Sequence, residues 1–130
     1  TTDGQKATGR KSLNGVGKTS AGENIGAYAV STYLSAITAN GAAAQPIASS
    51  LYKGGTISKS SWQNMWANGM LKSDGSDVLT VSKTGERSPL AFTSAVFPLK
   101  IALAVAPSKT LTLTDKTELD GQSTITLVYL

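Results

Sequence analysis

After Gly75 the apolar residues settle into alternation, and this constrains the chain more than any other feature. The stretches "VLTVS" (78–82), "LAFTSAVF" (90–97), "LKIALAVA" (99–106), "TLTLT" (110–114) and "STITLVYL" (123–130) alternate apolar and polar positions or are rich in β-branched residues. A period of two sends successive side chains to opposite faces of an extended backbone, the pattern of a strand. Turn signals separate the stretches at Thr84-Gly85, Pro98, Pro107-Ser108 and Asp120-Gly121. Residues 76–130 therefore read as antiparallel strands joined by short connections.

The first half reads differently. Ser20 followed by Glu23 fits a capping box, and Ile25, Tyr28, Ala29, Tyr33, Ala36 and Ile37 recur at helical spacing. Asn40-Gly41 then serves as a helix stop, which predicts a helix over 21–39. A second, short helix is expected at 61–68, capped by Ser60 or Ser61, with Trp62, Met65 and Trp66 on one face. Pro46 argues against one continuous helix through 42–55. Helices followed by strands give an α+β chain, mainly β in its second half, with a single domain over 20–130 (helical in 20–70). Residues 1–19, "TTDGQKATGRKSLNGVGKT", lack a period and read as a flexible, glycine-rich arm. They carry Lys6, Arg10, Lys11 and Lys18, four of the twelve basic residues. Such a stretch touches phosphate or an anionic surface, or simply stays solvated.

A chain of 130 residues is long enough for a single core. The absence of cysteine and histidine removes disulfides, thiolate metal sites, the commonest zinc ligand and the commonest general base. No cofactor is expected, and no metal site. There is no apolar run of the roughly 18 residues that a membrane span needs. The polar N-terminus has no signal-peptide core, so a secreted form would be a processed one.

Four constellations come close to chemistry. "SLNGVGKTS" (12–20) matches a phosphate loop at Gly15, Gly17, Lys18 and Thr19 but has Ser12 in place of the first glycine. No buried strand can precede it, and no strand ending in a magnesium-binding acid follows, so a glycine-rich loop is the better reading. "SDGSD" (73–77) and "TDKTELDG" (114–121) cluster carboxylates but lack calcium-loop spacing, and aspartate beside glycine is ordinary turn chemistry. A serine nucleophile would have only a lysine scheme, such as Ser60 near Lys59 or Lys83. Trp62 and Trp66, with Tyr52 nearby, are candidate stacking faces for sugars or bases, or else core anchors. No enzymatic activity is expected.

The closing "GQSTITLVYL" is the most informative stretch. Ile125, Leu127 and Tyr129 share one face, and Thr124, Thr126, Val128 and Leu130 share the other. A strand with an open side pairs naturally with another backbone. Residues 97–130 resemble the last strands of bacterial chaperone–usher fimbrial subunits, with Tyr129 matching their penultimate tyrosine. They resemble most the disulfide-free pilins, in which an alanine-rich helical insertion interrupts the sheet, as 21–69 would here. Two parts of the family pattern are absent: Thr117 stands where it has a glycine, and residues 1–19 lack the alternating apolar residues of a donor extension.

The resemblance implies an immunoglobulin-like antiparallel sheet lacking one strand. It also implies a periplasmic chaperone and other subunits of the same filament as partners, a host glycan as receptor, and a place on the bacterial surface. Ile125, Leu127, Tyr129 and Leu130 would form the subunit or chaperone interface. The expected function is thus a non-enzymatic structural or adhesive subunit assembling by strand pairing. Two alternatives stand beside it: a phage or virus coat or decoration protein whose basic arm contacts nucleic acid, and a carbohydrate-binding domain using Trp62 and Trp66.

Overall fold

A computed structural model describes residues 13–50, 57–113 and 117–129. These residues are mainly β and form three small sheets, ordered β1-β2-β9, β4-β3-β8 and β6-β5-β7. The strands are β1 (Leu13–Gly15), β2 (Gly26–Thr32), β3 (Thr38–Ala39), β4 (Ala42–Ala43), β5 (Gln45–Ser49), β6 (Gln63–Asn64), β7 (Val78–Ser82), β8 (Ala95–Val96) and β9 (Leu99–Val105). Among the described residues helical structure is limited to 3-10 turns at Leu34–Ala36, Lys59–Ser61 and Ser108–Thr110. The chain divides into two compact units. One comprises the described residues of Thr1–Val30, Lys72–Asp74 and Ile101–Leu127, the other those of Ser31–Leu71, Gly75–Lys100 and Val128–Leu130.

Neither expected helix forms. Within 21–39 lie β2, a 3-10 turn and β3. The helical spacing there leaned on alanines, which fit either period, while "GAYAVST" carries β-branched and aromatic residues suited to a pleated surface. Asn40-Gly41 is not a helix stop. With φ of 50° and +77°, the two residues form the left-handed pair of a tight hairpin between β3 and β4, which pair Thr38 with Ala43 and Ala39 with Ala42. The Asn40 side chain then accepts hydrogen bonds from the Thr93 N–H (2.9 Å), the Thr93 hydroxyl (2.9 Å) and the Ser94 N–H (3.4 Å). Over 61–68 the chain makes the end of a 3-10 turn and the short β6.

The glycine-rich lead-in is also more ordered than a loop from residue 13 on. Leu13, Asn14 and Gly15 pair with Ala29, Tyr28 and Ala27, and the ladder continues through a Lys18–Asn24 bridge and a bond from the Thr19 N–H to the Glu23 carbonyl (2.9 Å). Three residues, Ser20, Ala21 and Gly22, close this hairpin, with Gly22 at φ +83°. The expected capping box is replaced by this turn. Thr19, not Ser20, partners Glu23, accepting from its N–H (3.2 Å) and donating to its carboxylate (3.1 Å).

Of the later strands, β7 occupies 78–82 as read and β9 stops one residue short of the expected 106. The expected strand at 90–97 shrinks to β8. At 110–114 the described residues form the end of a 3-10 turn and irregular chain, and 123–129 are in no strand.

In the second unit Ile37, Ala39 and Val81 form a buried cluster with Leu34, Ala44, Leu90, Ala95 and Phe97 against it. Ile47 and Ala48 of β5 are buried too. Pro46 sits in this central strand without breaking it. Its carbonyl accepts from the Met65 N–H (3.2 Å), so its missing N–H faces the side where β6 ends, and the ladder to β7 stays whole. In the first unit Val16, Ile25 and Ala27 are buried beside Asn14 and Thr19.

Candidate functional site

Among the described residues β9 is the longest of the three strands whose residues are all exposed, the others being the two-residue β4 and β6. β9 lies at the margin of its sheet, and among the described residues it pairs with β2 alone. It runs back along β2, with the Ala106 N–H bonded to the Ile25 carbonyl at 2.8 Å. Gly26 makes this approach feasible: a Cβ there would lie 2.2 Å from the Ala104 carbonyl oxygen. All seven residues of β9 are exposed, and Leu99, Ile101, Leu103 and Val105 share one face by alternation. Lys100, Ala102 and Ala104 occupy the other. The strand thus presents an apolar row together with unpaired backbone groups, the combination that templates addition of another strand.

The other margin of this sheet is closed by the chain itself. Residues 117–123 follow β1, held by the Asp120 N–H on the Val16 carbonyl (2.8 Å). Gly121 comes so close to Gly15 that a Cβ would lie 2.7 Å from its carbonyl oxygen. Ser123 contacts the Tyr28 hydroxyl at 2.6 Å and donates to Asn14 Oδ1 at 3.3 Å. Beyond Ser123 these contacts end. The expected closing strand does not form: residues 123–129 are in no strand. Ile125, Leu127 and Tyr129 are 72%, 82% and 91% exposed. Leu130, the fourth expected interface residue, lies outside the described residues. The strand-forming alternation of the closing segment is therefore present in an unpaired stretch, and the open sheet margin belongs to β9. Sequence reading recognised β9 as a strand but not its place at the sheet margin. Its signal was the run of four apolar residues at period two, with Lys100, Ala102 and Ala104 between them.

Next to β1, Gly17, Lys18, Ser20, Thr117, Glu118, Leu119 and Asp120 line an open cleft of about 530 Å³. This is what became of the phosphate-loop signature. The Thr19 N–H is committed to the hairpin and two carboxylates share the cleft with Lys18, an arrangement that repels phosphate. Glu23, on the same hairpin, accepts from the Thr112 N–H and from the Thr112 hydroxyl at 3.0 Å. The bond from the Thr112 N–H, followed by those from the Thr112 and Thr19 hydroxyls, holds its carboxyl below the ordinary value against the upward push of burial.

The tryptophans divide. Trp62 is covered, at 5% exposure, so it offers no stacking face, and Trp66 is half-buried. Tyr52 lies outside the described residues. Among the described residues, no group of three His, Cys, Asp or Glu could hold a metal ion, and no helix is long and apolar enough to cross a membrane.

No family model matches the chain, and no solved structure matches it either. Among curated proteins it is similar to the uncharacterized protein YhcF of Escherichia coli strain K12, at 36% identity over 121 residues. The match covers 91% of this chain and 49% of YhcF, so the chain spans about half the length of that relative.

Proposed function

We propose that the chain is a non-enzymatic structural subunit that assembles with partner chains by strand pairing. The observation that carries this reading is β9: a seven-residue strand at a sheet margin, with every residue exposed and four large apolar side chains on one face. An exposed apolar margin of this length is an aggregation hazard unless a partner covers it. The closing segment supplies a second unpaired, alternating stretch. In its fuller form the proposal makes the assembly a bacterial surface fimbria, with other subunits of the filament and a periplasmic chaperone as partners. The immunoglobulin-like architecture lacking a strand belongs to that fuller form. Both follow from the resemblance of residues 97–130 to fimbrial subunits.

Deleting residues 123–130 tests the reading. Negative-stain microscopy and sizing of the protein, alone and with its co-purifying partner, should show assembly lost with the deletion. Filaments or complexes unchanged by it would refute strand pairing through this segment.

A further inference from the structure

We infer that Asn68 is a site of spontaneous covalent modification, where the Gly69 nitrogen attacks the side-chain amide and converts Asn68 to aspartate and isoaspartate. The inference is independent of the strand-pairing reading. It starts from a dipeptide that occurs three times, as Asn14-Gly15, Asn40-Gly41 and Asn68-Gly69. Glycine after asparagine leaves the following backbone nitrogen uncrowded and the peptide free to turn towards the side chain. In an unfolded chain the three pairs are chemically alike, so the fold decides which of them reacts.

Two are held out of reaction. Asn14 is 6% exposed in β1, Gly15 is paired with Ala27, and Asn14 Oδ1 accepts from the Ser123 hydroxyl at 3.3 Å. Burial and the ladder deny it both water and the rotation that ring closure needs. Asn40 is exposed, but in the left-handed turn between β3 and β4 the next nitrogen lies anti to Cβ about the Cα–C bond. The Thr93 N–H, the Thr93 hydroxyl and the Ser94 N–H fix its Oδ1 in that arrangement.

Asn68 differs in each respect. It is exposed in the turn from Trp66 to Gly69, belongs to no strand and is not in the left-handed region. Its Oδ1 accepts from the Met70 N–H at 3.1 Å, which folds the side chain back over the Gly69 peptide unit and draws electron density from its carbonyl carbon. The bond from the Gly69 N–H to the Trp66 carbonyl (2.9 Å) must open before the nitrogen attacks, and an exposed turn opens locally at low cost. The fold also requires this glycine: its φ is +62°, and a Cβ would lie 2.2 Å from the Thr32 carbonyl oxygen. The close seat of the turn on the end of β2 thus fixes the residue that makes Asn68 reactive.

The step needs only water as co-reactant. The Gly69 nitrogen loses its proton and bonds to Asn68 Cγ, the Cγ–Nδ2 bond breaks, and ammonia leaves behind a five-membered succinimide. Water then opens the ring at either carbonyl. One opening gives aspartate, and the other gives isoaspartate, whose backbone runs through the side chain and is longer by a methylene. The isoaspartate displaces Gly69, whose carbonyl accepts from the Thr32 N–H at 2.9 Å, and Met70, which bridges to Ser31. The modification therefore loosens the hold of the turn on the end of β2.

Incubation at mildly alkaline pH tests this, with folded protein beside a sample unfolded in guanidinium chloride. Trypsin places the three asparagines in separate peptides, 12–18, 19–53 and 60–72. Mass spectrometry against unincubated controls should show the amide-to-acid mass gain at Asn68 severalfold ahead of Asn14 and Asn40 in the folded protein. In the unfolded sample the three gains should be comparable. Fragmentation separates Asn68 from Asn64, and methylation by an isoaspartyl methyltransferase identifies the isomer. In the isoaspartate form the Thr32 and Met70 amides should lose hydrogen-exchange protection, whereas Asn68→Asp, which keeps the acceptor, should retain it. The inference is overturned if Asn14 or Asn40 reacts as fast as Asn68 in the folded protein, or if Asn68 stays intact there while the unfolded chain reacts. Unchanged protection of Thr32 and Met70 in the isoaspartate form would overturn the loosening of β2.

Discussion

Replacing Gly26 with alanine perturbs the strand on which the account depends. The added Cβ would lie 2.2 Å from the Ala104 carbonyl oxygen and 3.0 Å from Val105 Cα, where ordinary contact begins at 3.4 Å. Both neighbours are backbone, so relief means moving β9 away from β2 by about 1 Å, which stretches the adjacent Ala106–Ile25 bond out of hydrogen-bonding range. One or two ladder bonds are then lost at about 0.5–1.5 kcal/mol each. Alanine restricts the unfolded chain relative to glycine, which returns about 0.4–1 kcal/mol. The net loss should be about 1–2 kcal/mol, a shift of roughly 0.5–1 M in a urea midpoint. Far-UV circular dichroism during urea titration reads it. A midpoint unchanged from the parent protein would refute the close approach of β2 and β9.

Other consequences are open to separate checks. Lowering the pH removes what Glu23 contributes. Its folded pKa lies below the ordinary 4.5, so its contribution is complete above that pH and is lost as the pH falls through the folded value. Glu23→Gln should flatten this part of the acid stability profile, and an unchanged profile would contradict the assigned hydrogen bonds. Asn40→Ala removes three accepted bonds and a residue suited to φ of 50°, and should cost about 1–2 kcal/mol by thermal denaturation. Iodide should quench Trp66 while sparing the covered Trp62, resolved with Trp62→Phe; equal quenching of both would contradict the burial.

The legible parts of the fold were those where alternation had no competitor. "VLTVS" and "LKIALAV" pair β-branched or bulky residues with a period of two, and they became β7 and β9. The first half misled because alanine satisfies both periods, so spacing counted over "AYAVSTYLSAITA" favoured a helix that nothing else required. Asn40-Gly41 was the available correction, since that dipeptide signals a two-residue hairpin more strongly than a helix end. Gly17-Lys18-Thr19 looked like phosphate chemistry because a glycine-rich hairpin and a glycine-rich phosphate loop share a composition. What separates them is whether the backbone N–H groups are free, and that is decided by the folded hairpin, where the Thr19 N–H bonds the Glu23 carbonyl. The closing segment has the alternation of a strand but is in no ladder among the described residues, and a period of two alone does not supply a pairing partner. The margin of β9 was equally hidden, because strand order within a sheet is set by contacts distant in sequence.

Amide hydrogen exchange across Leu99–Val105, compared between dispersed and assembled protein, tests the assembly edge most directly. The N–H groups of β9 that point away from β2 should exchange freely in the dispersed chain and become protected on assembly, while those bonded to β2 stay protected in both. Outward-facing amides that exchange equally fast in both states, or that are already protected in the dispersed chain, would contradict the account.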